Sequence, residues 1–191
     1  ASAGITASFA TPHGQEFYRA APAAGALYPI ESYVVANKVE GLESGLYHYR
    51  VAGHDMLERP IFEGSHALEQ LQTGDLREAV GTAALDQGFC GKAGVVLIWT
   101  AVFARSTWKY GDRAYRYFYL DAGHMAAQAN MAAVALGLSS CPIAAFYDEE
   151  VNRLLGVDGE SEGVLYMMAA GRASRPVRRG GVASRHTARP K

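Results

Sequence analysis

The stretch GVVLIWTAVF, residues 94–103, limits the possible folds more than any other segment. It carries no charge, begins at Gly94 and is followed closely by Arg105. Such a run has no polar face to turn to water, so it predicts a central strand covered on both sides. It falls far short of the roughly 20 apolar residues that a membrane span requires. Cover on both sides must come from other elements, and the rest of the chain offers helices.

Residues 112–136 contain no proline and only one glycine, Gly123, with Gly137 placed to stop a helix. This predicts the longest and central helix. Its alanines, among them Ala122, Ala126, Ala129, Ala132 and Ala133, allow neighbours to approach closely. Residues 66–72 and 75–85 show helical spacing, with Leu68, Leu71, Leu76 and Val80 as core candidates. Residues 32–39 and 45–50 predict two strands, and the glycine-containing link between them favours antiparallel pairing. Further on, 141–146 reads as a strand, 148–155 as a helix capped near Asp148 with Gly156 behind it, and 164–170 as a strand. Residues 1–18 lack a sustained period and read as a loop, whose order would need a partner. The expected architecture is α+β: a mixed sheet flanked by helices, with a long central helix. It comprises an N-terminal arm or truncated remnant over 1–18, a domain over 19–171 and a basic tail over 172–191.

With 191 residues, 49% hydrophobic and 19% charged, the chain has enough apolar material for one core, and disorder is excluded. Cys90 and Cys141 form no CxxC and have no histidine cluster beside them, so both read as buried small side chains rather than a disulfide or zinc site. The net charge of −1 conceals an asymmetry, because residues 172–191 hold seven basic and no acidic residues. The 11 basic and 19 acidic residues of 1–171 leave that part at −8. An acidic body argues against a nucleic-acid-binding domain, and no signal-peptide pattern opens the chain. A cytoplasmic protein with neither membrane nor nucleic-acid partner is the expectation.

The richest local pattern is RAAPAAGALYPIE, residues 19–31. Ala23, Ala24, Gly25 and Ala26 let backbone approach a flat ligand, and Arg19 adds a charge-assisted donor. Read alone, it is also an ordinary loop entering a strand. Together with GLYHY at 45–49, KYGDRAYRY at 109–117 and DAGH at 121–124, it resembles, in order, the SagB-type dehydrogenase branch of the FMN-dependent nitroreductase family.

That resemblance implies a homodimer with FMN at the subunit interface. It also implies an oxidoreductase that oxidises azoline to azole in a peptide or reduces nitro or quinone compounds, with NAD(P)H or O2 as electron partner. On the same basis Lys109 and Tyr110 are the catalytic pair. A lysine whose charged form is disfavoured by burial and by cations such as Arg105 and Arg113 can take the ring proton, and Tyr110 can donate or relay. The flavin loop maps onto Pro22, Ala23, Ala24, Gly25 and Leu27, with Ala23 where serine is common. Ile143, Ala144, Ala145 and Phe146 match the strand end whose backbone faces the flavin N5, and Gln128 stands in for a polar contact. The chain lacks the family's R-x-S-R segment before Arg19, which leaves Arg19, Arg172, Arg175, Arg178 and Arg179 to meet the phosphate. The alternative is a flavin-free, non-catalytic module of the same fold that serves dimerisation or peptide recognition.

Overall fold

The computed structural model describes residues 3–11, 14–51, 53–54, 60–61 and 66–173. In chain order the strands are β1 (Ile5–Thr11), β2 (Gly14–Arg19), β3 (Ile30–Ala36), β4 (Gly45–Arg50), β5 (Gly53–His54), β6 (Pro60–Ile61), β7 (Ala67–Thr73), β8 (Val95–Val102), β9 (Ser139–Ile143) and β10 (Glu162–Gly171). The helices are α1 (Arg77–Ala83), α2 (Ala104–Tyr110), α3 (Ala114–Ala135) and α4 (Asp148–Leu155).

The apolar run becomes β8, an inner strand of a six-stranded sheet ordered β7-β4-β3-β8-β10-β9. Val96 and Ile98 face one side, packing with Val80 and Ala83 of α1 and Val151 and Leu155 of α4. Trp99 and Ala101 face the other, packing with Phe118, Ala122, Met125 and Ala126 of α3. The α+β architecture with a long central helix is therefore present. Where a mixed sheet was expected, every pairing in this sheet is antiparallel. One row, Glu69–His48–Tyr33–Ile98–Met167–Ile143, crosses all six strands.

Three expectations are corrected. Residues 66–72 form no helix, because β7 completes the sheet edge against β4, and nearly every residue of that edge strand, Leu68 and Leu71 included, is exposed. Leu76 and Val80 are buried as expected. Within residues 1–18, read as loop, Ile5–Thr11 and Gly14–Tyr18 pair as the β1–β2 hairpin, which extends to Arg19. Cys90 is buried, but Cys141 lies exposed on the edge strand β9.

The long helix begins at Ala114 rather than 112, since α2 and a 3-10 turn over Gly111–Arg113 precede it. It stops where Gly137 takes φ +71°, and the Leu138 N–H donates to Ala133 C=O at 2.8 Å. Helix α4 has the predicted bounds, although Tyr147 rather than Asp148 is its cap residue. Among the described residues no helix is long and apolar enough to cross a membrane.

Ile98 is fully buried at the middle of the sheet, so Ile98→Ala is expected to cost about 2–5 kcal/mol. Leu71, 49% exposed, should change stability by less than about 0.5 kcal/mol when cut to alanine. Urea denaturation of the two variants against the parent chain checks both figures.

Candidate active site

Strand β8 ends beside the start of β3, where Ile30 pairs with Ala101. Helix α2 follows β8 after a single residue, so its last turn returns over the loop that feeds β3. The loop is strained: Gly25, Ala26 and Tyr28 have φ of +63°, +53° and +45°. Non-glycine residues pay of order 1 kcal/mol or more for that region, and such strain gathers at functional sites.

Gly25 is where the loop meets α2. A β-carbon built on it would run into the Tyr110 hydroxyl and lie 3.0 Å from Lys109 Nζ. The expected pair Lys109 and Tyr110 is thus brought directly against the expected loop. Lys109 is exposed, with Nζ 5.5 Å from the Tyr110 ring centre, and Tyr110 stacks edge-on to Tyr117 at 4.9 Å. The burial expected of Lys109 is therefore absent. Of its two expected cationic neighbours, Arg105 is paired with Glu31 and Arg113 donates to the Tyr117 hydroxyl at 3.2 Å.

The loop is tied down at four points. The Arg19 N–H donates to the Tyr28 hydroxyl at 3.0 Å, and the Arg19 guanidinium lies over the Tyr28 ring at 4.9 Å. Arg105 Nη1 donates to Tyr28 C=O at 3.3 Å. Gln128 Nε2 donates to Ala20 C=O at 2.9 Å, so that side chain holds backbone. The Ala24 N–H donates to both Asp121 carboxylate oxygens, at 3.2 and 3.3 Å.

The second expected segment lies elsewhere. Ile143 is buried with α1 and α4, Phe146 packs on the same core, and Ala144 and Ala145 are exposed. Ala145 C=O accepts from Gln87 Nε2 at 3.0 Å, and Tyr147 N–H donates to Ala83 C=O at 2.8 Å. Strands β8 and β10 separate this segment from the start of β3. Beside Pro22, Ala23, Tyr28 and Asp121 the chain leaves only about 10 Å³, room for one water at most. Arg172 is exposed and shares a cavity of about 320 Å³ with Lys92, Ser139, Ser140 and Cys141. Arg175, Arg178 and Arg179 lie outside the described residues.

Reading residues in isolation missed two groups. Asp121 occupies the same inward row of α3 as Ala114, Phe118 and Met125, so a carboxylate in an apolar row was the available signal. Glu31, two residues past the loop, is held between His48 at 2.9 Å and Arg105. Burial raises the Glu31 carboxyl, but hydrogen bonds from His48 and Arg105 outweigh it and leave it below its ordinary value. The same bond to Glu31 raises His48, against the opposing effect of burial. Burial lowers the Arg19 guanidinium.

Gly25→Ala should destabilise the chain by about 1–3 kcal/mol, because the new methyl adds left-handed strain and displaces Tyr110. Urea melts check the size, and near-ultraviolet circular dichroism of the tyrosines checks the displacement. The Glu31–His48 pair should contribute most between the ordinary glutamate value, 4.5, and the ordinary histidine value, 6.5. The raised His48 loses its share as pH rises through its folded-state pKa, and the lowered Glu31 loses its share as pH falls through its own. His48→Gln should flatten the decline in melting temperature above pH 6.5, read by a thermal melt series.

The nitroreductase family model matches residues 5–172. A nitroreductase of Methanocaldococcus jannaschii is 35% identical over 155 residues, covering 81% of this chain and 71% of its own. The trifolitoxin-processing protein of Rhizobium leguminosarum bv. trifolii is 35% identical over 127 residues, covering 65% of this chain and 32% of its own. A crystal structure of a nitroreductase from Anabaena variabilis superposes with a TM-score of 0.76 at 32% identity, covering 88% of this chain and 32% of that one. The chain therefore spans about a third of the length of two of these three. The match over most of its length, on the fold just described, makes the chain a member of the nitroreductase family.

Proposed function

We propose that this chain is an FMN-dependent oxidoreductase of the SagB type that oxidises an azoline to an azole in a peptide. The observation that carries the reading is the convergence of Lys109 Nζ and the Tyr110 hydroxyl on Gly25, in a strained loop of small residues. The likeness to a trifolitoxin-processing protein supports a peptide as substrate.

The donor set suits FMN, provided two copies share it. The crevice behind the loop is too small for a ring system, so the flat ligand would rest on the outer side of Pro22, Ala23, Ala24, Gly25 and Leu27. Ala144 and Ala145 of a second copy, both exposed, offer backbone without side-chain bulk. Lys92, Arg172, Ser139 and Ser140 provide cations and hydroxyls for a phosphate. Leu120, Met131, Val134 and Leu136, each more than half exposed along and just past α3, supply apolar surface for the pairing of copies.

Making an azole removes a proton from one ring carbon and a hydride from the other. FMN, when bound, supplies the hydride acceptor. Lys109 Nζ, exposed in the chain alone, takes the proton once flavin and substrate cover it against the loop, and the Tyr110 hydroxyl donates to the ring nitrogen and orients the substrate.

Purified chain mixed with FMN should keep flavin absorbance through gel filtration, at one flavin per copy. Lys109→Ala should slow azoline oxidation by roughly 10²–10⁴-fold, the usual contribution of a general base, while sparing nitro reduction, which needs no base. Chain that stays colourless with added FMN sinks this reading and favours the flavin-free module.

A further inference from the structure

We propose that Asp121 is a positioning residue: from α3 it anchors the first N–H of the turn that follows Ala23, and so holds the loop in the form that sets Gly25 against Lys109 and Tyr110. For turnover this rests on the function proposed above, but for loop order it does not.

Residues 24–26 form a single 3-10 turn whose cap residue is Ala23, with extended φ −139° and ψ 148°. A serine or aspartate at 23 would accept the Gly25 or Ala26 N–H, so a local cap would still leave the Ala24 N–H without a partner. Alanine has no acceptor, and none is supplied locally. The acceptor for Ala24 comes from a residue 97 positions away, whose two carboxylate oxygens share the Ala24 N–H. Asp121 is only 5% exposed, and the adjoining crevice of about 10 Å³ leaves little room for water to replace it. Without Asp121, a turn already carrying left-handed backbone at Gly25, Ala26 and Tyr28 has lost the bond that fixes its start.

Charged groups face Asp121 from two directions. His124 lies one turn along α3, and Arg19, at the end of β2, lines the same crevice. Burial raises the Asp121 carboxyl, opposed by the Ala24 N–H and by His124. The anchor is strongest when the carboxyl is ionised, so it weakens as pH falls through that raised value. For folding the sign is opposite. A raised native pKa means the folded chain binds the proton more tightly, and the Asp121 share of stability grows as pH falls through that window.

Amide hydrogen exchange on the whole chain, without flavin, tests the anchor. Asp121→Ala should speed exchange at Ala24 at least tenfold while Val96, in the sheet, stays protected. Adding Ala23→Ser to that variant should slow exchange at Gly25 or Ala26 but leave Ala24 fast, because a capping serine accepts from those N–H groups and cannot replace the Asp121 bond. Unchanged exchange at Ala24 in Asp121→Ala, or recovery of Ala24 with Ala23→Ser, overturns the proposal. If Asp121→Ala fails to fold, Asp121→Asn decides. It keeps an acceptor without a charge, so Ala24 protection should lose the pH dependence that titration of the wild-type carboxyl gives it; a retained dependence overturns the proposal. In FMN-loaded chain, Asp121→Ala should lower kcat, and Asp121→Asn, which keeps an acceptor for the Ala24 N–H, should recover part of it. Wild-type chain that takes up no FMN overturns the functional reading alone, and the exchange data still judge the anchor.

Discussion

Burial of β8 on both faces is the constraint from which the rest of the structure follows. Val96 and Ile98 need α1 and α4 on one side, and Trp99 and Ala101 need α3 on the other, because neither set has a polar edge for water. With both faces taken, the chain leaves β8 only at the strand's end, and α2 begins there. That exit places Lys109 and Tyr110 over the entry to β3, the strand paired beside β8. The candidate site is thus a consequence of how the central strand is covered.

Strain and anchoring meet at the same place. Three residues of the loop adopt left-handed backbone, and hydrogen bonds from α2, α3 and the end of β2 hold it there. Of the anchors Asp121 is buried, where its bond is stronger and its loss more costly, while Arg105 stays exposed. Arg105 links the loop to the Glu31–His48 pair on the other face of β3, so protonation of His48 bears on the same helix that carries Lys109. Family membership fits this arrangement, while the chemistry proposed for it belongs to the side chains at Gly25.

Much of this was legible in the sequence. The unbroken apolar run became the inner strand it predicted, the glycine-poor stretch ending at Gly137 became the long helix, and the aromatic-rich GLYHYR at 45–50 matched β4 in its bounds. The loop at 22–29 stood out by its small residues, and the pair Lys109–Tyr110 through the family resemblance of its motif. Residues 66–72 misled because their leucines sit at spacings that suit a helix, and only pairing with β4 decides for a strand. The hairpin at 5–19 was hidden because its stability lies in cross-strand bonds that leave little mark on composition.

What the sequence determined by itself was local: which segments must be buried, where helices stop, and which short motifs carry small or chemically capable residues. Tertiary structure alone decided that Lys109 and Tyr110 meet Gly25, that the Ala24 N–H bonds to Asp121, 97 positions away, and that Ile143 to Phe146 lie two strands from the loop. Periodicity and propensity act over a turn or a strand. A contact between distant residues depends on the order in which strands join the sheet, and that order is set by packing the whole core at once.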